Sequence, residues 1–486
     1  MYKEDAVALL HEDRLFPANE PTRAIARRLY KGIENLPIVS PHGHTQAGWF
    51  RRNEPFPDPV TLLVQPDHYI FRMLYSQGIS LEELEIPPQR PRPVTGDPVG
   101  NKPVKDPRKV WRIFASNYDL FRGTPSRLWL DYVFEKLFGL TERLSAKTAD
   151  VYYDTIEAKL RTKDFLPRAL YERFGIEVLA TTDSPLDSLE DHKAIRESGW
   201  KGRILPTFRP DAAVDPAFTG FQENVAALGK LTGEDTASWR GYLRALALRR
   251  QYFKSMGATA TDHGHPTAKT ANLDASKAEW LFGKVLAGEA DEEHQELFRA
   301  QMLTEMARMS LEDGLVMQIH PGSVRNHNAQ LYARYGRDMG ADIPQETEYV
   351  HALKPLLDRF GNEPGLSIVL FTLDETAFGR ELAPLAGHYP CLRLGPPWWF
   401  FDSPEGMRRF RELVTETAGF YNTVGFNDDT RAFLSIPARH DVARRSDAAF
   451  LARMVAEHVL DEDEAVELAQ ELTVGLVRKA YKLLET

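Results

Sequence analysis

The chain of 486 residues is 43% apolar and 27% charged, an ordinary globular balance, and its length suits two to four domains or one large barrel with insertions. A formal net charge of −10 argues against non-specific nucleic-acid binding, which needs a basic face, yet leaves room for an anionic substrate held by a few arginines. The single cysteine, Cys391, excludes a disulfide framework and a thiolate zinc cluster and fits a reducing cytoplasm. The N-terminal stretch is charged throughout, without the apolar centre of a signal peptide, and no run of 18 apolar residues offers a membrane span.

Residues 1–44 read as an N-terminal helix followed by a first strand. That strand, Leu36-Pro37-Ile38-Val39, runs into Pro41-His42-Gly43-His44. In extended chain, residues i and i+2 share a side, so two imidazoles so spaced can hold one metal ion, with Gly43 keeping the space between them open. With 14 histidines, roughly 0.4 such triplets are expected by accident. A second triplet, His263-Gly264-His265, is present, so context has to choose between them.

Residues 45–176 are aromatic and helical in character (WRIFASNYDLF, SRLWLDYVFEKLFGL), with a loop at 86–104 whose six prolines forbid helix. They read as a helical subdomain inserted after the first strand. Seven more apolar segments then alternate with helix-like stretches across residues 177–445: VLATTD (178–183), ILPTFRPD (204–211), ATATDHGH (258–265), VMQIHPG (316–322), IVLFTLD (368–374), LRLGPPWW (392–399) and VGFNDDT (424–430). Strands alternating with helices argue for parallel βαβ units. Eight of them match an α/β fold of the closed (β/α)₈ TIM-barrel type, whose active sites gather at the C-terminal strand ends. An open doubly wound sheet is the alternative, but it leaves unexplained why the same end of every strand is rich in His, Asp, Arg and Trp. Residues 446–486 read as terminal amphipathic helices.

If the barrel closes, strand eight lies beside strand one, and Asp428 or Asp429 meets His42 and His44. Two imidazoles and a carboxylate suit zinc or another divalent ion. The second triplet ends strand four, across the barrel, where second-sphere, structural or Asp262-mediated roles are expected. Arg209 ends strand three, His320 ends strand five with Arg325 just behind, Trp398 and Trp399 end strand seven, and Arg431 follows strand eight. Converging guanidinium groups suit a substrate carboxylate. Tandem Trp serves core packing or a pocket wall, and Asp183 and Asp374 read as helix caps.

Seven motifs in order carry a family resemblance: the His-x-His at 42–44, DHYIFRML at 67–74, TTDSPLDSLEDH at 181–192, LPTFRPD at 205–211, IHPGSVRNHN at 319–328, PWWFFD at 397–402 and DTRAFLS at 429–435. From about residue 30 to about 445 the chain resembles the uronate isomerases, a branch of the metal-dependent amidohydrolase superfamily. The resemblance implies His42, His44 and Asp429 as ligands of one divalent ion, zinc by preference. It also implies active-site places for Tyr69, Arg209, Asp262, His320, Arg325, Trp398 and Arg431. Catalysis would fall to Asp429, Arg431, Tyr69, His42 and Asp262, and substrate binding to Arg209, His320, Arg325 and Trp398. Ser40 departs from the superfamily pattern, which has Asp two residues before the first His.

The implied reaction interconverts aldo- and keto-hexuronates, D-glucuronate with D-fructuronate and D-galacturonate with D-tagaturonate, by proton transfer through an enediol. A mononuclear metal-dependent hydrolase is the competing activity. A binuclear one is disfavoured, because strand four lacks Lys at its tip and strand six lacks His. A non-catalytic sugar-acid binder is the third reading. The expected partner is a small anionic sugar acid, with neither nucleic acid nor membrane, and the aromatic insertion offers a surface that a homo-oligomer would bury.

Overall fold

The computed structural model describes residues 8–88 and 104–483. The proline-rich loop expected at 86–104 lies almost wholly outside the described residues. A three-stranded parallel sheet holds β1 (Ile38–Ser40), β2 (Ile176–Ala180) and β3 (Ile204–Leu205). A four-stranded parallel sheet holds β4 (Ala260–His263), β5 (Val316–Ile319), β6 (Ile368–Leu370) and β7 (Leu392–Leu394).

Backbone contacts join the two sheets into a closed (β/α)₈ barrel. Phe208 bridges in parallel to Asp183 beyond β2 and to Thr261 in β4. Leu394 at the end of β7 bridges to Thr423, and the His44 amide donates to the Thr430 carbonyl at 3.0 Å. The eighth segment, expected as a strand over 424–430, is therefore a barrel stave with one bridge and no ladder. Gly425 and Asp429 both have positive φ, 76° and 43°, which regular strand geometry excludes.

Alternation along the staves sends Val39, Val178, Ala260, Val316, Val369 and Val424 into the barrel, where their small side chains fill its interior. Val477, Tyr481 and Leu483 from the C-terminal end of the chain pack into the same cluster. Polar residues at the next inward positions, Asp262 and Gln318, then face the C-terminal mouth.

Between β1 and β2 lie helices from Ala47–Arg52 to Pro167–Arg173. Their aromatic core, including Phe50, Trp111, Phe114 and Phe134, is continuous with Ile38, Ile176, Leu179 and Ile204 of β1 to β3. The inserted helices thus share one apolar cluster with the barrel wall. Helix α1 (Glu20–Ile33) starts where the Asn19 side chain accepts from the Thr22 amide and buries Ala26, Leu29 and Ile33 at helical spacing. It packs against α2 (Ile436–Ala456), which begins ten residues before the expected tail boundary at 446. No helix among the described residues is long and apolar enough to cross a membrane.

Candidate active site at the barrel mouth

His42 and His44 stand on the loop just beyond β1, and Asp429 stands on the eighth stave beside it. Asp429 Oδ1 lies 3.3 Å from His42 Nε2 and 3.1 Å from His44 Nε2, with no hydrogen-bond partner of its own. Its other oxygen accepts from Trp398 Nε1 at 2.6 Å. Burial opposes ionisation of Asp429, but His44 and His42 outweigh it and hold the carboxyl well below the usual range. His44 is driven down to about 4, chiefly by burial. His42 is raised: burial opposes this, and Asp262 and Asp429 overcome it. Asp428 points the other way, to His440 Nε2 at 3.1 Å on α2. Of the two aspartates, Asp429 is the one that faces both imidazoles.

These three donors fit a small divalent ion. Tetrahedral zinc bonds of about 2.0–2.1 Å imply donor separations of about 3.3 Å, close to those found, and the unpartnered Asp429 Oδ1 is the atom such an ion would satisfy. A second group, His42, Asp262 and His320, shares His42. In that group His320 Nδ1 lies 2.7 Å from Asp262 Oδ1 and Arg209 lies 3.1 Å from Asp262 Oδ2, while His320 Nε2 has no hydrogen-bond partner. Burial opposes ionisation of Asp262 too, but Arg209, His320 and His42 keep it well below the usual range. The His320 ring stacks on Phe371 at 3.9 Å and on His42 at 4.8 Å and meets Trp398 edge-on at 4.6 Å, which fixes its plane.

Each expected arginine sits at the mouth, engaged by the chain's own carboxylates. Arg209 binds Asp211 at 2.8 Å as well as Asp262. Arg325 donates to Asp342 at 3.0 Å and lies over the Trp399 ring at 5.2 Å. Arg431 reaches Asp338 at 3.4 Å. Against the cost of burial, Arg431 and then Arg325 hold Asp338 far below its ordinary value. Tyr69 donates to the Trp399 carbonyl at 2.9 Å, and burial raises its hydroxyl above the ordinary phenol value.

Sequence reasoning missed several neighbours. His68 is half-buried and meets Trp399 edge-on, with its Nε2 buried and unpartnered, and burial, then Arg431, push it down to about 3. Its place beside Tyr69 in DHYIFRML was the available signal. Asp338 and Arg439 carry no such signal. Arg439 on α2 donates to Asp402 at 2.7 Å and to the Asp428 carbonyl at 3.2 Å, and its guanidinium lies 3.8 Å over Trp129. It ties the eighth stave to the inserted helices. Neither expected aspartate cap is a helix cap. Asp183 accepts from the Thr181 hydroxyl at 2.7 Å, and Asp374 accepts from the Thr376 and Thr347 amides in loops.

A closed (β/α)₈ barrel with an imidazole–carboxylate group able to hold a metal ion, ringed by arginines at the C-terminal mouth, defines a barrel enzyme that handles an anionic substrate. The family model for glucuronate isomerase matches residues 15–479. The uronate isomerase of Phenylobacterium zucineum is 62% identical over 476 residues, covering 98% of this chain and 97% of that protein. Two crystal structures are similar over nearly their full length. Glucuronate isomerase from Caulobacter crescentus has a TM-score of 0.95 and 60% identity, covering 99% of this chain and 98% of that one. Uronate isomerase from Thermotoga maritima has a TM-score of 0.88 and 28% identity, covering 97% and 99%. The chain belongs to the glucuronate isomerase family, and it is an aldose–ketose isomerase.

Proposed function

We propose that this chain interconverts D-glucuronate with D-fructuronate and D-galacturonate with D-tagaturonate by proton transfer through an enediol. The observation that carries this reading is the Asp429 carboxylate, ionised and oriented by the Trp398 indole, with one oxygen turned toward His42 and His44. That geometry suits a base that takes a proton from C2 and returns it at C1. Opening of the sugar ring needs an acid–base group at the ring oxygen, a role given to Tyr69 or His42.

Charge developing on the enediolate oxygens falls to Arg431, a preorganised cation at the mouth. Arg325 is the better clamp for the C6 carboxylate, because Arg209 already carries two carboxylates. Asp262 holds His320 and Arg209 in place, and Trp398 shapes the pocket wall. His42, His44 and Asp429 would hold one zinc ion, which when bound supplies Lewis-acid polarisation of substrate oxygens.

The reading also takes residues 45–176 as an inserted subdomain, the enzyme as a homo-oligomer and the compartment as the cytoplasm, the last supported by the one, buried cysteine. An NMR time course with D-glucuronate and D-galacturonate, run beside a panel of amides, tests the activity. The expected result is ketose formation from the uronates; turnover of amides without turnover of uronates would overturn it in favour of a mononuclear hydrolase.

A further inference from the structure

We propose that Asp211, His263 and His265 form a second divalent-cation site, set on the outer side of the barrel wall behind Arg209. The second His-x-His triplet is not absorbed by the mouth. Alternation along β4 turns Ala260 and Asp262 inward, so His263 points outward toward the helices. Asp211, His263 and His265 each offer a donor atom within 4.8 Å of the others.

Both imidazoles are buried, His263 wholly and His265 at 3% exposure. His263 Nε2 meets the Thr261 hydroxyl at 3.0 Å, which leaves Nδ1 without a partner, and both nitrogens of His265 lack one. Three unpartnered polar atoms in so dry a place carry a desolvation cost that a ligand would offset. Asp211 accepts from Arg209 Nε at 2.8 Å and shares the Gly264 amide between its two oxygens at 3.2 Å, so Oδ1 keeps lone-pair capacity.

The surrounding charge does not forbid a cation. Arg209 is also paired with Asp262, Arg250 with Asp313, and Arg299 with Asp215 and Glu296. Two neutral imidazoles and a carboxylate form a donor set for zinc or a neighbouring divalent transition ion. The site would grip the same carboxylate that holds Arg209. Gly264 shows how tight that coupling is: a Cβ there would come 2.4 Å from the Arg209 guanidinium and 2.9 Å from Asp211. An ion here would therefore stiffen the support of Arg209 without touching the substrate.

The test is the number of Co²⁺ equivalents taken up by chelator-stripped full-length protein, read by elemental analysis and visible absorption, in the wild type and in His44→Asn, which cripples the mouth site. The expected result is one equivalent that survives His44→Asn and is lost when His265→Asn or His263→Gln is added. No surviving equivalent, or one indifferent to both added substitutions, would overturn the proposal. An absent second equivalent in His44→Asn overturns the proposal outright, and two independent added substitutions, at His263 and at His265, keep the assignment refutable even where one variant folds poorly. Uronate turnover is scored separately on the wild type, so failure of the isomerase reading would leave the metal count untouched.

Discussion

Asp429 stands where the groups of the mouth meet. Its backbone is left-handed at φ 43°, one oxygen is held by Trp398, and the other faces two imidazoles. Asp429→Asn keeps the shape but removes the charge and the proposed base, so kcat should fall by about 10²–10⁴-fold, with bound metal falling in parallel by elemental analysis. Trp398→Phe keeps the ring but removes the donor to a charged acceptor, a bond of about 1.5–3 kcal/mol. Its kcat should therefore drop less than in Asp429→Asn while the metal stays bound.

Asp183 gives a different kind of prediction. Burial raises it from 3.8 to about 7, so the folded protein keeps a proton that the unfolded chain has already lost between those values. The stability due to its neutral carboxyl is full below about pH 4 and is lost as pH rises through about 7. Asp183→Asn should flatten the fall in Tm between pH 5 and pH 8. An unchanged slope in calorimetric scans would refute this.

At the scale of elements, the joints between staves matter more than the ladders, which are short. The eighth stave is held by one bridge, by the His44–Thr430 hydrogen bond and by Arg439. The Arg439–Asp402 pair is buried, with both side chains under 5% exposed. Breaking a buried pair from one side costs about 3–5 kcal/mol. Arg439→Met should therefore lower the unfolding free energy by about that amount, read as a lower denaturant midpoint at unchanged m-value, and loosen the loop that presents Asp429, cutting activity as well.

The joints also mark what was legible in the sequence. The His-x-His at 42–44, the strand-end arginines and the alternation of strands with helices are local patterns, and local patterns survive in a linear string. The irregular eighth stave reads as a strand because VGFNDDT is another short apolar segment running into polar residues; the positive φ values that break it belong to Gly425 and Asp429 and leave no periodic trace. Arg439 and Asp338 were invisible for a related reason. Each is a lone charged residue whose meaning comes from a partner far away in the chain, and nothing in its spacing distinguishes it from a solvated surface charge.

On the scale of the whole molecule, the two ends of the chain complete a barrel whose strands are too short to stand alone. Tyr481 is buried in the interior cluster, and its hydroxyl donates at 2.9 Å to Gln318 Oε1, while Gln318 Nε2 lies 3.5 Å from His42 Nδ1. Tyr481, which caps the helix Leu476–Ala480, thus supports the mouth from below. Deleting residues 476–486 would uncover the apolar interior at Val477, Tyr481 and Leu483. Each such side chain is worth about 1.5–3 kcal/mol, against a total stability of about 5–15 kcal/mol. The truncated chain should be insoluble or show loose tertiary packing by near-ultraviolet circular dichroism, and a sharp, wild-type-like melt would contradict the role given to this segment.

The central claim is that a carboxylate at the mouth moves a proton between C2 and C1 of a uronate. It is tested most directly by running the isomerisation of D-glucuronate in D₂O and following the C1 position of the ketose by NMR at several temperatures. Deuterium from solvent should appear at C1, with more of it as temperature rises and the shuttled proton has more chance to exchange. Complete transfer of the original C2 hydrogen to C1, with no solvent label at any temperature, would contradict it and point to a hydride shift.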